Sequence, residues 1–173
     1  RPVLVWVHGG AYVFGGTAQR MYDGRALVHT GEVILVTVGY RVGPFGFLDL
    51  TRVAPDAGYD ANPALRDILA ALAWVRDNIS RFGGDPERVT LFGESAGGGI
   101  VTTLMTAPVA RGLFSRAIAE SSPATSVYGQ ERSERVARML LAELDLDDAG
   151  ALESLAAERV VDAAQSDGSG TLE

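Results

Sequence analysis

Residues 89–97 read Val-Thr-Leu-Phe-Gly-Glu-Ser-Ala-Gly, and this stretch decides the fold. The apolar run at its start predicts a short buried strand, and the residues after Ser95 predict a helix that stops before Pro108. Gly93 and Gly97 flank Ser95 in the pattern G-x-S-x-G, which is typical of a sharp strand-to-helix turn. Small residues on both sides let the strand and the helix approach closely. The stretch therefore predicts a strand–turn–helix unit with a serine hydroxyl at the turn.

Three other apolar runs predict strands, at residues 2–7, 33–40 and, less strongly, 116–120. Continuous rather than alternating runs are typical of strands buried on both faces, as in a parallel sheet. Helices are predicted between and after them. One covers residues 65–82, with Asn62 as its cap, Pro63 at its first position and Gly83 at its end; two amphipathic helices lie near 130–144 and 151–164. The alternation predicts an α/β fold with right-handed crossovers.

A glycine-rich segment follows the first strand, where the chain reads His8-Gly9-Gly10-Ala11. Stabilisation of an oxyanion needs two or three preorganised N–H donors that point at one position. A loop of this composition after an earlier strand supplies such donors, together with the N–H that follows the nucleophile. The candidate oxyanion-hole residues are thus Gly10, Ala11 and Ala96. Tyr12, Phe14 and the two glycines after it are candidates for an apolar wall and a flexible rim.

Composition excludes several other kinds of chemistry. The 173 residues include no cysteine and no lysine, so a thiol nucleophile, a P-loop, a Schiff base and a Ser-Lys dyad are all excluded. A net charge of −7 argues against a nucleic-acid partner, and no apolar run approaches the length of a membrane span. Residues 145–150 look briefly like a calcium loop, but Ala149 and Ala156 stand where oxygen ligands are required. We expect no metal and no organic cofactor.

The chain resembles the type-B carboxylesterases, a family that includes the cholinesterases and bacterial esterases. Four blocks carry the resemblance: residues 5–12, 40–48, 72–79 and 82–97, with 112–118 continuing it. The resemblance covers residues 1–122 strongly and implies an α/β-hydrolase fold and ester hydrolysis through an acyl-enzyme on Ser95. Glu94 matches a family position; it either tunes the electrostatics near the catalytic histidine or is a partly buried carboxylate that bonds to the backbone.

Two blocks depart from the family pattern. Residues 61–68 read Ala-Asn-Pro-Ala-Leu-Arg-Asp-Ile, where family members often have Gly-Asn-x-Gly-Leu-x-Asp-Gln. Residues 120–122 read Glu-Ser-Ser, where the family usually has Gln-Ser-Gly. The lost glycine and glutamine of the first block are expected to alter packing near the serine turn.

The histidines are the strongest sign that the chain is incomplete. Only His8 and His29 occur, whereas an α/β-hydrolase places its acid and then its histidine after the serine. We expect His8 to order the oxyanion loop and His29 to lie in a surface turn. Asp162 and Asp167 follow Ser95, but nothing marks either as the triad acid. The sequence therefore predicts a partial α/β-hydrolase domain over 1–173, cut at both ends, lacking outer strands, the acid and the base.

The predicted function is a serine ester hydrolase whose partner is a small-molecule ester. Two alternatives stay open: a non-catalytic cholinesterase-like binding module, and an inactive truncated product. The absence of lysine, together with abundant alanine, glycine, valine and arginine, favours a bacterial gene of high GC content. The apolar and charged fractions are those of a soluble globular domain, but whether it is cytoplasmic or secreted cannot be predicted. Neither the ester nor the oligomeric state can be predicted from the sequence.

Overall fold

The computed structural model describes residues 1–123 and 127–166, and the chain divides into two units. Unit 1 takes the described residues of 1–40 and 64–126, and unit 2 those of 41–63 and 127–173. The strands of unit 1 are β1 (Val3–Val7), β2 (Ile34–Val38), β3 (Val89–Glu94) and β4 (Arg116–Glu120). They form one four-stranded sheet in the order β2-β1-β3-β4, in which every neighbouring pair is parallel.

Within residues 1–123 and 127–166, six α-helices and four 3-10 helices accompany the strands. The α-helices are α1 (Arg25–Val28), α2 (Pro44–Phe47), α3 (Pro63–Asn78), α4 (Ala96–Thr106), α5 (Gln130–Glu143) and α6 (Ala157–Ser166). The 3-10 helices are Arg20–Tyr22, Ile79–Phe82, Pro108–Ala110 and Ala149–Ser154. None of the helices in the described ranges combines the length and apolarity needed to span a bilayer.

Burial differs from strand to strand, which corrects the expectation that all four are buried on both faces. In β1, Val3, Val5 and Val7 have no exposed surface, while the residues between them are partly buried. In β4, four of five residues are exposed. The difference follows the position of each strand: β1 lies between two other strands, whereas β4, within the described residues, has β3 as its one neighbour.

The long helix α3 forms because its apolar residues share one face. Ala64, Ile68, Leu72 and Val75 are all completely buried. Its ends differ from the prediction. Asn62 has φ 52°, outside the extended conformation of an N-cap. At the other end, a 3-10 turn intervenes before Gly83, whose left-handed φ of 82° closes that turn rather than the α-helix.

Among its described residues, unit 2 packs around two small apolar clusters to which α5 contributes. Leu50, Ala137, Leu141 and Ala149 form one, and Leu140, Leu144 and Val160 form the other.

The predicted single helix over 151–164 is wrong. The Asp148 carboxylate accepts a hydrogen bond from Gly150 N and begins a 3-10 helix, Leu155 is extended with ψ 149°, and α6 starts later. The break lets Leu152 and Leu155 pack on the second cluster beside Val160.

The sheet register brings three strand ends together. Val7 of β1 is paired with Gly93 of β3, and Glu94 with Glu120 of β4. Because all three strands are parallel, the residues that follow them lie together at the carboxyl ends of the strands. Ligand sites in open α/β sheets lie outside these carboxyl ends. Glu94, Ser95 and Ala96, and the loop residues Gly10 and Ala11, lie at these strand ends.

Candidate active site

Ser95 occupies the turn between β3 and α4 in a strained conformation. Its φ is 56° and its ψ is −120°, a region that L-residues with a side chain seldom occupy. Two backbone hydrogen bonds hold it there: Ser95 N donates to Glu120 O at 2.9 Å, and Ser95 O accepts from Gly99 N at 2.9 Å. Strain of this kind persists only where the surroundings determine it, and it clusters at functional sites.

The two glycines of the G-x-S-x-G pattern are required by contact with the neighbouring strand. A Cβ at Gly97 would overlap the carbonyl oxygen of Val7 and lie 2.7 Å from that of His8. A Cβ at Gly93 would lie 2.7 Å from Val7 O and from the carbonyl carbon of Gly97. The glycines therefore let the start of α4 rest directly on the end of β1.

The glycine-rich loop after β1 reaches the serine. A Cβ at Gly9 would be 3.2 Å from Cβ of Ser95, and 2.9 Å from both the carbonyl oxygen and Oε2 of Glu94. The structure therefore brings together the loop, the serine and the Glu94 carboxylate. Close approach of bare backbone to a nucleophile is what an oxyanion-binding loop needs.

The loop itself is a tight turn with three consecutive positive φ values: 125° at Gly10, 52° at Ala11 and 64° at Tyr12. Val13 N and Phe14 N donate to Gly10 O at 2.9 and 3.1 Å. At Gly10 a Cβ would overlap Phe14 O and approach the Phe14 ring. The turn thus folds Phe14 back over Gly10, and the Phe14 side chain is 64% exposed.

The third predicted donor, Ala96, is the first residue of α4 and is almost fully buried. Its N–H is one of those at the helix start that have no partner within the helix. The helix dipole adds partial positive charge at this end. Gly10 and Ala11 lie in the loop and Ala96 lies on the helix, so the candidate donors come from two separate segments.

His8 lies below the loop rather than within reach of solvent. It is 1% exposed, and its Nδ1 lies 2.8 Å from Gly9 O. Its ring stacks on Tyr40 with centroids 4.3 Å apart, and the Tyr40 hydroxyl donates to His8 O at 2.7 Å. Burial raises the pKa of Tyr40 above its ordinary value. His29 is exposed, as expected for a surface turn.

Sequence reasoning missed two features of this site. Tyr40 supports His8 from just after β2, and the only hint of this was its place at the end of the apolar run 33–40. Gly15 was a candidate for a flexible rim, but a Cβ there would lie 2.5 Å from Nδ1 of His8, so Gly15 packs tightly. Asp162, one of the two aspartates considered above for the triad acid, is in unit 2 on α6; Asp167 lies outside the described residues.

Residues 1–166 match the carboxylesterase family. The chain belongs to that family. Among its relatives, para-nitrobenzyl esterase of Bacillus subtilis is 48% identical over 139 residues, which are 80% of this chain and 28% of that protein. Carboxylesterase 3 of Homo sapiens is 49% identical over 126 residues, which are 73% of this chain and 21% of that protein.

Solved structures of carboxylesterases superpose on this carboxylesterase chain. A carboxylesterase of Geobacillus stearothermophilus matches with TM-score 0.93 and 40% identity over 99% of this chain and 38% of its own. A PNB esterase matches with TM-score 0.89 and 46% identity, over 95% of this chain and 35% of its own. The predicted α/β-hydrolase fold is confirmed. The carboxylesterase chain described here spans less than two fifths of the length of these relatives.

Proposed function

We propose that this chain carries the nucleophile and the oxyanion hole of a serine carboxylic-ester hydrolase. The observation that carries the proposal is the strained backbone of Ser95 at the β3–α4 turn, with the bare backbone of Gly9 against its side chain. A hydroxyl held on such a turn projects from the sheet edge toward a substrate carbonyl. Membership of the carboxylesterase family supports the same reaction class.

In the proposed mechanism, Ser95 Oγ attacks the ester carbonyl carbon and its proton passes to a histidine. The carbonyl oxygen becomes an oxyanion that accepts hydrogen bonds from the N–H groups of Gly10, Ala11 and Ala96. The tetrahedral intermediate then collapses: the carbon–oxygen bond to the alcohol breaks, and the histidine returns the proton to the leaving alkoxide. Water hydrolyses the acyl-enzyme through the same steps.

The acid and the histidine of this mechanism are proposed to lie outside residues 1–173. His29 is exposed in a turn, and His8 is buried with its Nδ1 against Gly9 O and its ring on Tyr40. These contacts suit His8 to fixing the loop rather than to taking a proton from Ser95. Glu94 is proposed to stabilise the charged form of the incoming histidine, because its carboxylate lies beside Gly9 at the serine turn.

Covalent labelling tests the proposal most directly. The complete esterase that contains this chain should react with a fluorophosphonate at Ser95, identified by peptide mass, and should hydrolyse a p-nitrophenyl ester. Ser95→Ala should abolish labelling and lower kcat by about 10⁶-fold, as expected when a triad nucleophile is removed. The matched control is Ser80→Ala, an exposed serine in the 3-10 turn after α3, which should leave both unchanged.

Two results would contradict the proposal in different ways. A complete protein that neither labels nor turns over ester would favour a non-catalytic binding module. Robust turnover by residues 1–173 alone would contradict the proposed position of the base, since losing that group costs several powers of ten in rate.

A further inference from the structure

Tyr12 joins the two segments that would form the oxyanion hole. Its backbone lies in the loop after β1, directly after the candidate donors Gly10 and Ala11. Its hydroxyl lies against α4: a Cβ built on Gly99 would overlap the Tyr12 hydroxyl oxygen. Because the side chain begins in the loop and ends at the helix, the phenol ring bridges loop and helix.

Gly99 lies one helical turn after Ser95 and is hydrogen-bonded to it. Its N–H donates to Ser95 O at 2.9 Å, and its carbonyl accepts from the hydroxyls of Thr102 and Thr103 at 3.0 and 2.8 Å. A Cβ at Gly99 would also lie 3.4 Å from two ring carbons of Pro123. The Tyr12 hydroxyl therefore occupies a defined space, bounded by the helix that begins beside Ser95 and by Pro123.

The loop needs such a support. Ala11 and Tyr12 both have positive φ without being glycine, a strained backbone conformation that persists only where the surrounding structure enforces it. The donors on the loop and the donor on α4 must also converge on one oxygen atom. A misplacement of about 1 Å can cost about 100-fold in rate.

We propose that Tyr12 is a positioning residue that sets the separation between the loop donors and the helix donor, with its hydroxyl seated in the space that Gly99 leaves open on α4. The proposal rests on the proposed esterase function. It assigns Gly99 a role that neither the serine pattern nor the oxyanion loop requires. Tyr12 itself transfers no proton and touches no reacting atom in this scheme; it acts through Ala11 and Ala96.

A double-mutant cycle in the complete esterase tests this. Gly99→Ala places a methyl group on the Tyr12 hydroxyl, and Tyr12→Phe removes that hydroxyl. We expect Gly99→Ala to lower kcat by about 10- to 100-fold, below the loss of a whole donor, while KM changes by less than about threefold. The Tyr12→Phe/Gly99→Ala double variant should recover most of the lost kcat. Gly129→Ala, a glycine with open space around it, is the control and should keep the parent kcat.

Two further measurements separate positioning from stability. Tyr12→Ala removes the bridge without adding a clash, and it should lower kcat and the rate of fluorophosphonate labelling by about tenfold or more. Melting temperatures of all variants show whether the rates merely follow unfolding. Rates that follow the melting temperatures, with no recovery in the double variant, would overturn the positioning role.

Failure of this inference differs from failure of the proposed function. A parent enzyme that labels and turns over ester, but whose Gly99→Ala variant keeps full kcat, overturns the inference alone. A parent that neither labels nor turns over ester overturns the proposed function and the inference with it.

Discussion

At the scale of single residues, the site depends on glycines, which have no Cβ, and on residues with an unusual backbone φ. Gly9, Gly93 and Gly97 each stand where a Cβ would approach within 3 Å of another segment. Ser95 has a positive φ because the strand before it and the helix after it meet at a sharp turn. The geometry of the serine turn is thus fixed by packing against neighbouring backbone.

Tyr40, which supports His8, should make the stability of the chain sensitive to alkaline pH. Burial raises the pKa of Tyr40, so an unfolded chain releases its proton near pH 10 while the folded chain still holds it. The unfolded state therefore binds fewer protons above that pH, and the free energy of unfolding should fall as pH rises further, by at most about 1.4 kcal/mol per pH unit. Urea denaturation between pH 8 and pH 11 measures this decline.

Tyr40→Phe is the matching variant. It should lose about 1 kcal/mol at pH 8, because the hydrogen bond to His8 O is gone. Its decline above pH 10 should be shallower than the parent's, since phenylalanine cannot ionise. An identical alkaline slope in both proteins would show that Tyr40 does not cause it.

At the scale of elements, α4 joins the serine turn to the core. Leu104 and Met105 are neighbours on this helix, but Leu104 is 2% exposed and Met105 is 60% exposed. Leu104→Ala should lower the free energy of unfolding by about 2–5 kcal/mol through lost burial and a cavity. Met105→Ala should change it by less than about 0.5 kcal/mol. Equal losses from the two variants in chemical denaturation would contradict the packing of α4 described above.

The bounds of an element were predicted well where nearby residues of the sequence determine them, and poorly where contacts with distant parts of the chain do. The bounds of β4 and α4 agree with the sequence because apolar runs, the glycines and Pro108 are local features. The break at Leu155 is not local: it follows from the cluster around Leu140 and Leu144. The same limit applies in the site, where the support of His8 comes from Tyr40, 32 residues later.

At the scale of the whole molecule, the sheet has two outer strands. Within the described residues, β2 and β4 each pair on one side only, and Ile118 of β4 is 49% exposed. Open strand edges with apolar side chains are templates for association between chains. We therefore expect residues 1–173, produced alone, to self-associate despite the net charge of −7.

A charge on the outer strand should reduce that association. Ile118→Lys should shift the population toward monomer in light scattering after size exclusion, because lysine protects strand edges. Val109→Lys introduces the same charge at a 71% exposed position in a 3-10 helix, away from the strands, and should have less effect. A monomeric parent that melts cooperatively would refute the expectation.

The pairing of β1 with β3 also has a consequence for folding kinetics. Val7 and Gly93 are adjacent in the sheet but far apart along the chain, so their contact closes a loop of more than 80 residues. Contacts of such high contact order form slowly, because the chain entropy of closure is lost before packing compensates for it. The turn at Ser95 is therefore expected to acquire its strained backbone only after this closure, so a collapsed folding intermediate would lack the serine turn of the native chain.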